Sequence, residues 1–373
     1  MSPDSQLAEL LSKETVEAAS ALMEELEGGR LRCLACGHRC RLSKSRAGVC
    51  RVRFLQNGEL RVPYGYVHAL ALDPIEKKPF YHVLPGETAL SFGMLGCDLH
   101  CGYCQNWISS QTLRDENAVA SFQECTPRQI VDAARGAHSR VVISTYNEPL
   151  ITAEWAAAVF DEAKEEGMLT GFVSNGNATP QVLDYLRPRL DLYKVDLKSF
   201  RDANYRELGG TLKAVLNTLE NLKARGFWVE VVTLLVPQFN DSENEIREMA
   251  RFLAELDRDL PWHLTAFHPD YRMNDRASTS LELLDRAYQL ARTEGLRYVY
   301  LGNLGSTRDD RESTFCPSCG STLISRRGFS VLKNSLGTAG GNESSCSGCG
   351  QAIPGVWNWP AIEGSQAGGF ALH

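Results

Sequence analysis

From Thr88 onward the chain alternates between two hydrophobic periods. Short apolar, β-branched runs at 89–94, 141–144, 169–173, 192–197, 227–236, 262–267 and 298–301 have the length and composition of buried strands. Between most of them, segments such as 152–166, 213–225, 242–256 and 280–294 place apolar residues at helical spacing. Strands alternating with helices of this size predict βαβ units and a parallel sheet, an α/β fold. Six or seven such units over about 215 residues fit a partial or full (β/α) TIM-like barrel, whose chemistry sits at the C-terminal strand ends. A doubly wound sheet is the competing architecture.

The flanks read differently. Leu7, Leu10, Leu11, Leu22 and Leu26 predict an amphipathic helix within 5–27, capped by Asp4 or Ser5 and stopped at Gly28-Gly29. Strand-like text follows through 59–67. After Arg308 the alternation ends in a Gly/Ser-rich segment. The expected division is an N-terminal helix and four-cysteine extension over 1–87, a barrel over 88–308 and a C-terminal segment over 309–373, with no internal repeat.

Composition narrows the function. With 373 residues and 43% hydrophobic content, the chain can bury a sizeable core. A net charge of −7 argues against a nucleic-acid footprint, which would be a basic stripe. No apolar run approaches the roughly 20 residues that span a bilayer. VEVVTLLVP at 229–237 is short and interrupted by Glu230, so it reads as a core strand. MSPDSQLAEL has neither the basic nor the apolar region of a signal peptide.

Twelve cysteines are the unusual count. They form three groups: Cys33, Cys36, Cys40 and Cys50; Cys97, Cys101 and Cys104; Cys316, Cys319, Cys346 and Cys349. Cys125 stands alone and reads as a plain thiol. Tight clusters in a long chain without an export signal point to metal binding in a reducing cytosol, hence a cytoplasmic location, rather than to disulfides.

The strand at 89–94 runs directly into CDLHCGYCQNW, placing C-x3-C-x2-C in a loop at a strand's C-terminal end. Three thiolates on a four-iron cube leave one iron free for a ligand, whereas four would close it. Zinc bound by the three cysteines and His100 is the alternative. His100 directly precedes Cys101, which leaves little freedom for both to reach one tetrahedral ion. Other strand ends carry polar residues. Tyr146-Asn147-Glu148-Pro149 offers a carboxylate suited to an amine, or an acidic helix start. Ser174-Asn175-Gly176 supplies hydroxyl and amide groups. Asp196 and Lys198 share a strand face. There they match a zwitterionic ligand in preference to a mutual buried ion pair. Glu230 points into the barrel or into solvent.

The C-terminal cysteines form two C-x2-C-G knuckles, a closed shell expected to be a structural zinc ribbon. The N-terminal four are read as zinc in preference to iron–sulfur, with His38 as a substitute ligand.

The central motif, with Tyr103 as its aromatic, resembles the radical S-adenosylmethionine (SAM) hallmark C-x3-C-x-aromatic-C. The likeness is closer to the pyruvate-formate-lyase-activating-enzyme-like branch, and within it to AmmeMemoRadiSam system radical SAM enzymes. It runs through CLACGHRC, YGYVHALALDPIEKKPFYH, GCDLHCGYCQNW, STYNEPLI, VDLKSF, WVEVVTLLVPQFND, PWHLTAFHPDY and GLRYVYLGN, nearly from 33 to 327. The resemblance implies a radical SAM barrel with a [4Fe–4S] cluster on Cys97, Cys101 and Cys104. SAM would be cleaved to methionine and a 5′-deoxyadenosyl radical that abstracts hydrogen from a substrate. It also implies SAM contacts from Tyr103, Tyr146, Asn147, Glu148, Ser174 and Asn175. Asp196 would lie on the ribose side, Lys198 on the carboxylate side, and His268 against SAM or substrate. Asp270 and Tyr271 are weaker candidates for substrate contacts. A flavodoxin or ferredoxin would donate electrons to this oxidoreductase. The substrate would be a protein glycyl residue, a peptide or a small molecule; neither nucleic acid nor membrane is an expected partner. The N-terminal cysteines resemble ferredoxin-like inserts of glycyl-radical-activating enzymes, which usually carry twice as many. The rivals are a glycyl-radical-enzyme activase proper, a metal-scaffolded module without catalysis, and a radical SAM methyltransferase.

Overall fold

A computed structural model describes residues 11–44, 46–305, 309–338 and 344–360, together with Leu7 and Glu9. Asp4, Ser5, Leu10 and Arg308 lie outside the described residues.

The core is one eight-stranded sheet of β1 (Ala69–Pro74), β2 (Thr88–Gly93), β3 (Val141–Ser144), β4 (Leu169–Ser174), β5 (Leu192–Asp196), β6 (Trp228–Leu235), β7 (Trp262–Ala266) and β8 (Val299–Gly302). The strands lie in strict chain order, parallel from β2 to β8, with β1 antiparallel to β2. A doubly wound sheet would reverse its strand order at a switch point; this one does not. β1 and β8 do not pair with each other, so the barrel is partial.

Helices α1 (Pro127–Gly136), α2 (Ala153–Glu165), α3 (Pro180–Leu186), α4 (Leu212–Ala224), α5 (Glu243–Leu256) and α6 (Leu281–Thr293) cover the outside. Five of them start on a Thr or Ser whose side chain accepts a first-turn N–H: Thr126, Thr179, Thr211, Ser242 and Ser280. Such caps satisfy donors that have no partner within the helix. Outward strand residues such as Tyr193 and Val195 pack on the helices with Leu219 and Phe160. Inward residues Val141, Ile143, Leu169 and Leu192 form a second core with Phe80, Val83 and Leu84. Beneath it, Val356 pairs with Val83 and Trp359 Nε1 donates to the Gly167 carbonyl, so residues 356–359 lie across the lower mouth.

The helix expected within 5–27 is the main correction. Among the described residues of this stretch, only Leu7, Glu9 and 11–13 are helical; Thr15–Glu17 and Met23–Leu26 are strands around a short 3-10 turn at Ser20–Leu22. The first strand pairs with Glu59–Pro63, and the second forms a hairpin with Arg30–Cys33. Gly28 and Gly29, both at positive φ, turn this hairpin rather than stopping a helix. The leucine spacing was coincidental. Leu22 is buried against the barrel, while Val16 packs into a separate small core, so tertiary pairing overrode the helical period.

Candidate active site

β2 ends at Gly93, and the cysteine loop follows. A Cβ on Gly93 would lie 2.4 Å from the Thr145 carbonyl, so only glycine lets the ends of β2 and β3 approach this closely. Tyr146, just beyond β3, holds a left-handed backbone (φ 71°), a local strain typical of functional loops. Asn147 Oδ1 accepts from Met94 N at 3.0 Å, fastening the two strand ends together.

Three strand ends meet the cysteines around a cavity of about 100 Å3. Its lining includes Cys97, Cys101, Cys104, Tyr146, Asn147, Glu148, Ser174, Asn175, Asp196 and Lys198. A wider chamber of about 410 Å3 shares Cys101, Cys104, Tyr146, Asp196 and Lys198, and adds Tyr103, Lys77, Lys78, Lys194 and Phe329. Ten of the expected site residues thus surround one cavity, and Tyr103 lines the adjoining one. His268 does not. It is exposed, with Nε2 2.9 Å from Gln105 Nε2, and lines neither space. The loop after β7 carries it outward. Asp270 and Tyr271 line a separate polar groove with Trp107 and Arg272, where Tyr271 donates to Asp115 at 2.7 Å.

Cys101 is buried and Cys97 and Cys104 are half-buried, and that limits their chemistry. Burial pushes Cys101 up to about 12 and raises Cys97 and Cys104 as well. They are therefore poor nucleophiles, and ionising them requires a nearby cation. Asp196 and Lys198 do form the ion pair that the ligand-matched reading disfavoured, at 3.2 Å, and a residue missed in the sequence explains it. Lys194, two positions earlier on β5, binds the same carboxylate. Burial alone would raise Asp196, yet the two ammonium groups hold it down to about 2. One carboxylate between two lysines leaves a net positive charge facing the cavity.

Glu148 is already engaged. It accepts from Ser174 Oγ (2.7 Å), Asn175 N (2.7 Å) and Leu150 N (3.1 Å), locking the β3 and β4 ends together. Burial, reinforced by the Asp98 charge, pushes it up to about 8. Asp98 itself drew no attention in the sequence. It is fully buried and accepts from Asn175 Nδ2 (2.7 Å) and Asn177 Nδ2 (2.8 Å).

The three thiols fit a cluster better than a single ion. Among the described residues, only Cys316, Cys319, Cys346 and Cys349 bring three or more Cys, His, Asp or Glu ligand atoms within 4.8 Å of one another. Thiolates on separate irons of a cube must stand further apart than ligands sharing one ion. No histidine lines the cavity, which removes His100 as a fourth ligand.

The radical SAM superfamily model matches residues 93–253, from the end of β2 through the cysteine loop to α5. "Uncharacterized protein MJ0808" of Methanocaldococcus jannaschii is 36% identical over 88% of this chain and 97% of its own length. The chain belongs to the radical SAM superfamily. Within it the relationship is pyruvate-formate-lyase-activase-like. A pyruvate formate-lyase-activating enzyme of Staphylococcus aureus is 25% identical over 57% of this chain and 91% of its own. A solved domain of such an enzyme from Bacteroides vulgatus covers 43% of this chain and 98% of its own, at 20% identity and a TM-score of 0.39.

This radical SAM chain carries two further cysteine groups. In the C-terminal group, Cys316–Cys349 and Cys319–Cys346 sulfurs are each 3.6 Å apart. That is close to the roughly 3.8 Å implied by four sulfurs at 2.3 Å around one tetrahedral ion. Arg326, on the hairpin of this segment, is fully buried against Glu76 and donates to the Tyr81 carbonyl at 2.6 Å. Glu230 also lies away from the site. It is buried near the lower mouth, accepting from Tyr81 N and His82 N, with His263 Nε2 2.7 Å away. Cys125 lies in the first turn before α1 and approaches no other cysteine group. No described helix is long and apolar enough to cross a membrane.

Proposed function

We propose that this chain reductively cleaves SAM at a [4Fe–4S] cluster held by Cys97, Cys101 and Cys104 and abstracts hydrogen from a substrate in the wider chamber. The observation that carries the reading is the convergence of three thiols and the β3, β4 and β5 ends on one cavity that opens into a larger one. Bound there, the cluster and SAM would supply methionine and a 5′-deoxyadenosyl radical, with one electron from a flavodoxin or ferredoxin. Lys198 and Lys194, with one carboxylate between them, attract the SAM carboxylate. Asn147, Ser174 and Asn175 line the same wall, and their bonds to Met94 N, Glu148 and Asp98 would hold it in shape around SAM. Glu148 braces that wall. Buried walls exclude water from a reactive intermediate. The C-terminal four-thiol group holds one structural zinc.

The substrate is a protein or peptide segment or a small molecule that reaches the wider chamber. Anaerobic incubation of reconstituted protein with SAM and dithionite should give 5′-deoxyadenosine, and the Cys101→Ala variant should give none. A sample loaded with iron at the three-cysteine site that forms no 5′-deoxyadenosine refutes the proposal in favour of a metal-scaffolded binding module. S-adenosylhomocysteine in its place indicates a methyltransferase.

A further inference from the structure

Four thiols in the N-terminal extension converge without closing. Sulfurs of Cys40 and Cys50 flank Gly48, at 3.9 and 3.5 Å from where its Cβ would be. Cys33 N donates to the Cys40 carbonyl at 2.9 Å, and Arg39 N donates to the Cys36 carbonyl at 3.1 Å, so one tight loop carries the other two thiols beside Cys40. Yet no three of these sulfurs come within the 4.8 Å that the C-terminal four satisfy in the same molecule. One tetrahedral zinc needs sulfurs roughly 3.8 Å apart. A cubane puts each thiolate on a different iron, and the looser spacing is what it requires. His38, the alternative fourth ligand to zinc, is directed elsewhere: its Nε2 lies 3.1 Å from the Asp98 carbonyl.

The surroundings suit an anionic cluster. Val49 N donates to Cys40 Sγ at 3.4 Å. Arg53 is buried, with both terminal nitrogens on Glu154 at 2.7 Å and its Nε lacking any partner. Its carbonyl lies 3.2 Å from the same Gly48 Cβ position that the Cys50 sulfur flanks. A sulfide or thiolate would satisfy the spare donor. The group also packs on the back of the three-cysteine loop, since a Cβ on Gly96 would lie 3.4 Å from the Cys50 carbonyl.

We infer that Cys33, Cys36, Cys40 and Cys50 hold a second [4Fe–4S] cluster, closed to substrate, against the loop of the first. This replaces the zinc reading that spacing in the sequence favoured. It goes beyond the proposed function and does not rest on SAM cleavage. The test is metal content of the full chain after anaerobic reconstitution with iron, sulfide and zinc. About eight irons and one zinc per chain are expected; about four irons and two zincs overturn the inference. The Cys97→Ala/Cys101→Ala/Cys104→Ala variant isolates the second site. It should form no 5′-deoxyadenosine but keep about four irons and give an EPR signal on reduction. Two irons, zinc alone or no metal at the N-terminal group in that variant would likewise overturn it.

Discussion

Asp98 offers the sharpest test of how the three-cysteine loop is held. Its two oxygens each accept one buried amide, from Asn175 at 2.7 Å and Asn177 at 2.8 Å, so the carboxylate ties the loop to the end of β4. In Asp98→Asn the shape is kept, but one amide group now faces another donor. The change removes a hydrogen bond to a charged acceptor and leaves a buried donor unpaired, together about 3 kcal/mol. That cost falls on opening of the loop rather than on global unfolding. Where the loop recloses faster than iron is captured, the rate follows the open population. Iron loss to a chelator under anaerobic conditions should then accelerate about a hundredfold, with circular dichroism unchanged. Iron loss within about threefold of the parent would refute the reasoning, because it would mean that the two amides find equal partners without the charge.

Two further outcomes concern the base of the barrel. Arg326→Met strands Glu76 in a fully buried site and should cost about 3–5 kcal/mol in denaturant unfolding, whereas Glu76→Leu/Arg326→Met should recover most of it; equal additive losses would show that the pair is not coupled. Burial holds His82 down to about 4, against 6.5 when unfolded. The unfolded chain therefore takes up a proton that the folded chain refuses, and stability present above pH 6.5 is lost toward pH 4, by about 3 kcal/mol. His82→Gln should flatten that part of the acid limb, and an unchanged slope counts against it.

Much of this was legible in the sequence because periodicity reports what is buried. The strands at 141–144 and 169–174 and the helices at 153–165 and 243–256 lie within a residue of their expected bounds. The cysteine loop and the three polar strand ends were equally visible, since a barrel's topology fixes where strand ends go. The N-terminal strands were not. Their pairing partners lie up to 48 residues away at Pro63, and a leucine count sees only neighbours.

What periodicity cannot supply is depth. Alternation places Lys194, Asp196 and Glu230 on inward faces, yet Lys194 is level with Glu230 in the β5–β6 register. One step along β5 separates a structural layer from a reactive one. Asp196, two residues on, lines the cavity with the cysteines, while Glu230 is consumed by Tyr81, His82 and His263. Lys194 lies on the boundary, reaching up to Asp196. An inward acid therefore reads as a ligand-binding residue only when its strand register sets it above the plug formed by residues 80–84. The same limit applies to the cysteines. Spacing in sequence shows that four thiols can meet. Only the distance at which they meet separates one shared ion from a cube of separate irons.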